Sequence, residues 1–273
     1  MGKSRKHIVN NGLTTSSNEG FKSDLADVTF VVPIRIDSRE RNDNADSLIK
    51  YTFKHFETNF ILLEVDENRK FYPKYEFDGF KYCFIKDSYE IFHRTLWINK
   101  LFSMATTTYV AVWDTDAIAP PGQIILALDQ LRNGASVLSF PYDGRFYSCD
   151  KVSYDLFKQH TDIKILLKRI PVMHLMHGYH SVGGAFIVKK EQYLDAGGEN
   201  ENFYGWGPED TERVKRMEVL GLTISYTLGA LFHLFHPIGK NSWFANSFIE
   251  RINRMELLKT SSLDKSKLNI ISE

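Results

Sequence analysis

Four short apolar runs recur along the first half of the chain: "DVTFVVPIRI" (27–36), "NFILLEV" (59–65), "YCFIKD" (82–87) and "TYVAVWD" (108–114). They are rich in β-branched and aromatic residues and too short for buried helices, so they read as buried strands. The stretches between them are long enough for helices. Residues 40–57 set Leu48, Ile49, Tyr51, Phe53 and Phe56 among polar residues, and 91–105 align Phe92, Leu96, Asn99 and Phe102 or Ser103 along one side. A helix over 121–132 and a strand over 135–141 follow. Strands alternating with helices predict a mostly parallel sheet that binds ligands at the strands' carboxyl ends.

The second half is less regular. It predicts a strand at 183–188 with a short helix after it and a helix closing at Gly221. A strand-like run over 222–237 ends at Pro237. Over 243–259, Phe244, Phe248, Ile252, Met255 and Leu258 fall at helical spacing, which predicts a helix packing that stripe on the domain.

Charge and composition narrow the function. Lys+Arg and Asp+Glu are both 34. This balance lacks the basic excess of a general nucleic-acid or acidic-membrane binder. No apolar run approaches the ~20 residues of a membrane span. The first twenty residues are basic and then polar, without the apolar core of a secretory leader, and read as part of a flexible arm over 1–26. Cys83 and Cys149 have no metal-binding spacing and read as reduced thiols. The expectation is a cytoplasmic protein with one main domain over 27–240 and a C-terminal helical extension over 241–273. Contact with a membrane surface is left open.

Three clusters carry chemistry. In "YVAVWDTDAIAPPG" (109–122) an apolar run stops on two acids, Asp114 and Asp116. Residues two apart in a strand share a face, so these carboxylates would repel one another without a cation between them. The competing reading is ordinary turn chemistry ahead of Pro120-Pro121-Gly122. In "FYGWGPEDTERV" (203–214), Gly205 and Gly207 flank Trp206, and Glu209, Asp210 and Glu212 fill the first turn of a helix. Acids there complement the helix dipole. A mobile tryptophan beside a carboxylate also suits sugar binding and proton transfer. In "LFHLFHP", His233 and His236 are core histidines or the nitrogen half of a mixed metal site.

In order, "PIRIDSR", Phe92-x-Arg94 with Asn99, "WDTDA", "VGGAFIVKKEQYLDAGG", "GWGPED" and "HLFH" resemble the β-1,4-galactosyltransferase family, within the GT-A glycosyltransferases that use nucleotide-sugar donors. The resemblance covers about 27–237 and is most specific over 183–214. It implies a GT-A fold: a single Rossmann-like α/β domain with a mixed, mostly parallel central sheet flanked by helices. It also implies an inverting, metal-dependent hexosyltransferase of bacterial type, moving galactose or N-acetylgalactosamine from a UDP-sugar to a saccharide or glycolipid acceptor in surface-polysaccharide synthesis.

By the same resemblance Asp116 and His236 are metal ligands, with His233 as a third. Manganese is the expected ion and magnesium the alternative. Pro33, Arg35, Asp66, Arg94, Asp114, Gly184 and Trp206 belong to the donor site. Glu209 and Trp206 belong to the acceptor site, and Asp210 is the general base. The chain departs from the family in having His233 for methionine, Pro208 for glycine and Thr211 for an acid. His174, His177 and His180 in "HLMHGYH" read as a loop or acceptor-pocket feature, because no acid lies among them. Two other readings compete. A sugar nucleotidyltransferase lacks support because the segment after the first strand has no glycines. An inactive carbohydrate or nucleotide-sugar binder would be expected to have lost Asp210.

Overall fold

The first apolar run becomes the middle of a seven-stranded sheet. The computed structural model describes residues 22–176, 178–239 and 243–263. β1 (Ser23–Ile34) starts four residues before the apolar run that predicts it. It is followed by α1 (Arg39–His55), β2 (Phe56–Asp66), β3 (Phe80–Lys86), α2 (Arg94–Met104), β4 (Tyr109–Trp113), β5 (Ala117–Ile118) and α3 (Pro121–Arg132). Then come β6 (Leu138–Phe140), β7 (Phe146–Ser148), α4 (Lys151–His160), α5 (Ile163–Arg169), β8 (His174–Leu175), β9 (Ala185–Lys189) and α6 (Lys190–Asp195). The chain continues through α7 (Glu209–Leu220), β10 (Ile224–Tyr226), β11 (Leu231–His233) and α8 (Ser247–Ser262).

The large sheet runs β10-β6-β9-β4-β1-β2-β3. β9 is antiparallel to both its neighbours, and every other pairing is parallel. This is the mixed, mostly parallel sheet flanked by helices that the sequence predicts. The carboxyl ends of β1, β2 and β4 therefore lie on one edge, with Asp66 and Asp114 on it. Pro33 cannot donate to a ladder. It is accommodated because the β1–β4 pairing stops two residues earlier, at Val31 opposite Val112.

Burial holds these strands in place. Val31, Val32, Val110, Ala111 and Val112 are fully buried, and Phe30 packs between Phe60 and Trp113 at ring distances of 6.2 and 5.4 Å. Burying each such aliphatic or aromatic side chain contributes about 1.5–3 kcal/mol.

A second sheet, β5-β11-β7-β8, sits beyond the end of β4. It is built largely from segments that the sequence does not announce. Residues 222–237 are two strands rather than one. Gly229, at φ +134°, turns the chain so that β10 joins the large sheet and β11 the small one. Asp143 fixes that turn by accepting from Gly229 N through its carboxylate.

α8 also differs from expectation. Asn246 caps it by accepting from Ile249 N, so Phe244 precedes the helix. Phe248, Met255 and Leu258 are exposed, and the buried positions are Asn253 and Thr260. The helix meets α7 and the loop before it with polar residues, because its partners there are the Glu212 carboxylate and the carbonyls of Tyr204 and Trp206.

Gly184 leads into β9 at φ +82°, and a Cβ there would stand 2.9 Å from Phe146 Cζ. Gly184→Ala is expected to lower the unfolding free energy by about 1–3 kcal/mol. Urea denaturation checks this, and an unchanged midpoint would show that the glycine is dispensable.

Candidate active site

β4 ends in a tight turn. Asp114 N donates to Gly184 O at 2.8 Å, and Ala117 N to Asp114 O at 3.1 Å. The buried Trp113 indole donates to Ala117 O at 2.7 Å. The strand stops at Trp113, so strand alternation does not govern the two acids. They lie in the turn and take different partners.

Asp116 faces the small sheet. β5 pairs antiparallel with β11, setting His233 opposite Ala117, and Leu234 N donates to Asp116 O at 2.7 Å. This register brings both histidines to one carboxylate oxygen: His236 Nε2 is 3.1 Å and His233 Nε2 3.8 Å from Asp116 Oδ2. Among the described residues, Asp116, His233 and His236 offer three ligand atoms within 4.8 Å of one another.

His236 Nδ1 lies 2.8 Å from Pro237 O, which can only accept, and 3.4 Å from Arg41 Nη2, which can only donate; the shorter contact assigns the proton to Nδ1. In the neutral ring Nε2 then turns a lone pair toward Asp116. Only a second proton or a cation between them makes that contact favourable. A carboxylate and two imidazoles, one oriented by a backbone carbonyl, fit a divalent transition metal. Burial would raise the Asp116 pKa, but His233, the His236 hydrogen bond and Arg41 outweigh it and hold the group well below the usual carboxylate range. For His236 burial acts downward and Asp116 reverses it, leaving a net rise.

Arg41 is the contributor that the sequence reading missed. Its Nη1 lies 3.2 Å from Asp116 Oδ2 and its Nη2 3.4 Å from His236 Nδ1, while Nε bonds Asp37 at 3.0 Å. The available signal was position. Ser38 caps α1 by accepting from Arg41 N, so Arg41 sits in the first turn of a helix that follows a strand at the ligand edge of the sheet.

Arg94 joins the turn to the start of α7. Its Nη2 donates to Asp114 Oδ1 at 2.7 Å, and its Nη1 lies 3.9 Å from Glu209 and 3.8 Å from Asp210. Burial works against its charge, but the three carboxylates outweigh burial and keep it a cation. Glu209 is buried, and its Oε2 has no hydrogen-bond partner among the described residues. Burial, reinforced by the Asp210 charge and opposed by Arg94, pushes its pKa up to about 8. The helix N-terminus favours the ionised form; here it does not prevail. Asp210 Oδ1 accepts from Arg213 Nη1 at 2.7 Å.

Trp206 stacks on Trp243 at 4.9 Å and meets the edge of Phe244 at 4.8 Å. Asn253 of α8 holds the backbone beneath it, donating to Trp206 O at 3.2 Å and Tyr204 O at 2.9 Å. Arg94, Glu209 and these aromatics line a pocket of about 340 Å³. An aromatic wall over polar groups suits a sugar ring. Trp243 lies outside every motif named above, and Phe244 figures there only in the apolar stripe over 243–259.

The remaining sequence-predicted residues have structural partners. Arg35 donates to Val65 O, Tyr89 O and Asp87, so its described bonds tie the end of β1 to β2 and to the loop after β3. Asp66 accepts from Lys70 Nζ at 2.7 Å. Pro33 is buried in β1, and Gly184 supplies the carbonyl that fixes Asp114. His174 and His180 are exposed, and His177 lies outside the described residues.

Residues 165–237 match the sequence family described as the N-terminal domain of galactosyltransferase. The segment includes β9, α7, His233 and His236, and the resemblance read from the motifs is to enzymes of the same kind. No curated protein matches the chain. Among solved structures it is similar to the catalytic domain of Drosophila beta-1,4-galactosyltransferase 7 in complex with xylobiose, at 17% identity and a TM-score of 0.44. It is also similar to a mutant of that Drosophila protein in complex with manganese, UDP-Gal and xylobiose, at 15% identity and a TM-score of 0.45. Each comparison covers 75% of this chain and 65% of the other. No helix among the described residues is long and apolar enough to cross a membrane.

The Glu209 environment predicts a pH dependence. The folded protein keeps this proton to about pH 8, whereas the ordinary glutamate value is 4.5. Folding therefore takes up a proton between those values, and stability falls as pH rises through that window, by at most about 1.4 kcal/mol per unit. Glu209→Gln removes this dependence. Urea unfolding at pH 5.5 and 8.5 should show a larger loss for the wild type than for the variant. Equal losses would show that Glu209 is ionised throughout.

Proposed function

We propose that this chain is an inverting, metal-dependent glycosyltransferase that moves a hexose from a UDP-sugar to a saccharide acceptor. Galactose or N-acetylgalactosamine is the favoured sugar. The observation that carries the reading is the adjacency of two clusters on one sheet edge. Asp116, His233 and His236 converge on one point, and two residues away Asp114 leads through Arg94 to Glu209 and Asp210. The galactosyltransferase match over 165–237 supports it. The setting implied by the sequence resemblance is bacterial surface-polysaccharide synthesis in the cytoplasm, on a saccharide or glycolipid acceptor.

In this reading Asp116, His233 and His236 hold the cation, manganese by preference, since imidazole donors suit it better than magnesium. When bound, the ion supplies Lewis-acid neutralisation of the charge on the departing diphosphate. Arg94, anchored on Asp114, lends a fixed positive charge on the donor side. Trp206 forms an apolar wall for the acceptor ring. Glu209, protonated near neutral pH, donates a hydrogen bond to an acceptor hydroxyl. Asp210 takes the proton from the attacking hydroxyl as that oxygen bonds to the anomeric carbon. The bond from that carbon to the diphosphate oxygen breaks on the opposite face and UDP departs. One displacement inverts the configuration.

UDP release from a panel of UDP-sugars should require a divalent ion, stop with chelator and return with Mn²⁺. His236→Ala is expected to weaken Mn²⁺ binding by ~10–100-fold in calorimetry. Full retention of affinity would move the metal site elsewhere. Asp210→Asn should reduce single-turnover transfer by ~10²–10⁴-fold while UDP and Mn²⁺ still bind. Transfer at the wild-type rate would eliminate Asp210 as the base.

A further inference from the structure

Arg213 is fully buried, and every described contact of its guanidinium is specific. Nε and Nη2 grip the two oxygens of Glu199, each at 2.8 Å, and Nε also lies 3.1 Å from Tyr193 Oη. The guanidinium carbon stands 4.0 Å from the centre of the Phe186 ring. Nη1 remains, and it donates to Asp210 Oδ1 at 2.7 Å. Glu199 is itself immobilised, because Asn99 pairs with both its backbone N and its carbonyl at 2.9 Å. Burial alone would raise the Glu199 pKa, but Arg213 reverses this and brings it to about 2.

A buried ion pair of this kind is weak support for stability, since apolar residues of similar volume often serve as well. What it provides here is a rigid arm that ends on one oxygen of Asp210.

The other oxygen has its own constraint. A Cβ on Gly183 would stand 2.6 Å from Asp210 Oδ2 and 3.4 Å from its Cγ. Gly183 is not among the glycines with positive φ, so its backbone accepts an alanine. The Gly183 backbone is also held: Tyr142 Oη donates to Gly183 O at 2.7 Å, and Asp114 N bonds the next carbonyl. With the backbone pinned, a methyl group at 183 displaces the Asp210 carboxylate.

We infer that Arg213 and Gly183 are positioning residues for Asp210. Arg213 ties Oδ1, and the missing side chain of Gly183 leaves the room that Oδ2 occupies. The inference rests on the reading of Asp210 as the base. A shift of about 1 Å at such a group is enough to lower a rate ~10²-fold. Moving the end of one side chain has little effect on stability, so the loss should fall on turnover.

The test uses Gly183→Ala and a paired replacement, Glu199→Gln with Arg213→Met, which leaves no buried charge without a partner. Turnover is read as UDP release from UDP-galactose with Mn²⁺, using glucose, N-acetylglucosamine, xylose or water as acceptor. Both variants should lose ~10–100-fold in kcat. KM for the donor, UDP affinity, Mn²⁺ affinity and Tm should stay near the wild-type values, a split that a merely structural role would not produce. A crystal structure of Gly183→Ala should show the Asp210 carboxylate displaced. An unmoved carboxylate, or wild-type kcat in both variants while Asp210→Asn is inactive, overturns the inference and leaves the base assignment standing. Wild-type turnover in Asp210→Asn overturns the base assignment itself.

Discussion

Arg94 stands among three carboxylates drawn from two distant segments: Asp114 from the turn after β4, and Glu209 and Asp210 from the start of α7. Like charges this close in a buried setting repel strongly. One fixed cation lets them share a small space, and the outcome is unequal. Asp114 takes the close contact. Glu209, further away and buried, keeps its proton to about pH 8. Asp210 is bonded on one oxygen by Arg213. A single guanidinium thus stands within 4 Å of three acids whose surroundings differ.

The candidate metal-ligand group of Asp116, His233 and His236 depends on a different device. β5 and β11 have only two and three residues, yet their pairing sets His233 beside Asp116 and carries His236 to the same oxygen. Trp113 and Gly184 hold the turn between β4 and β5, which sets Asp114 toward one cluster and Asp116 toward the other. α8 completes the arrangement from outside, with Asn253 under the Trp206 loop and Thr260 on Glu212.

Much of the large sheet was legible because its strands are buried on both faces and read as unbroken apolar runs. Legibility failed where the physics leaves no period. Two- and three-residue strands such as β5, β7 and β8 are too short to show one. The run over 222–237 is apolar throughout, and only Gly229 marks its break. The α8 stripe departs from expectation because spacing alone cannot tell an exposed apolar face from a packed one, and this helix packs through Asn253 and Thr260. In the site, Asp116, His233, His236, Glu209 and Asp210 were legible as residue types in motifs. Arg41 and Arg213 were not, because each lies in a charged run where an arginine reads as solvated surface. Their roles appear only once the fold brings Asp116 and Glu199 to them.

In the proposed reading, one divalent cation is held by Asp116, His233 and His236 beside the Arg94 cluster. Anomalous scattering at the manganese edge, from crystals grown with Mn²⁺ and UDP, tests it most directly. One strong peak is expected within bonding distance of Asp116 and His236, with UDP density between that peak and Arg94. A peak on other carboxylates, or UDP bound in full with no manganese at this group, would contradict it.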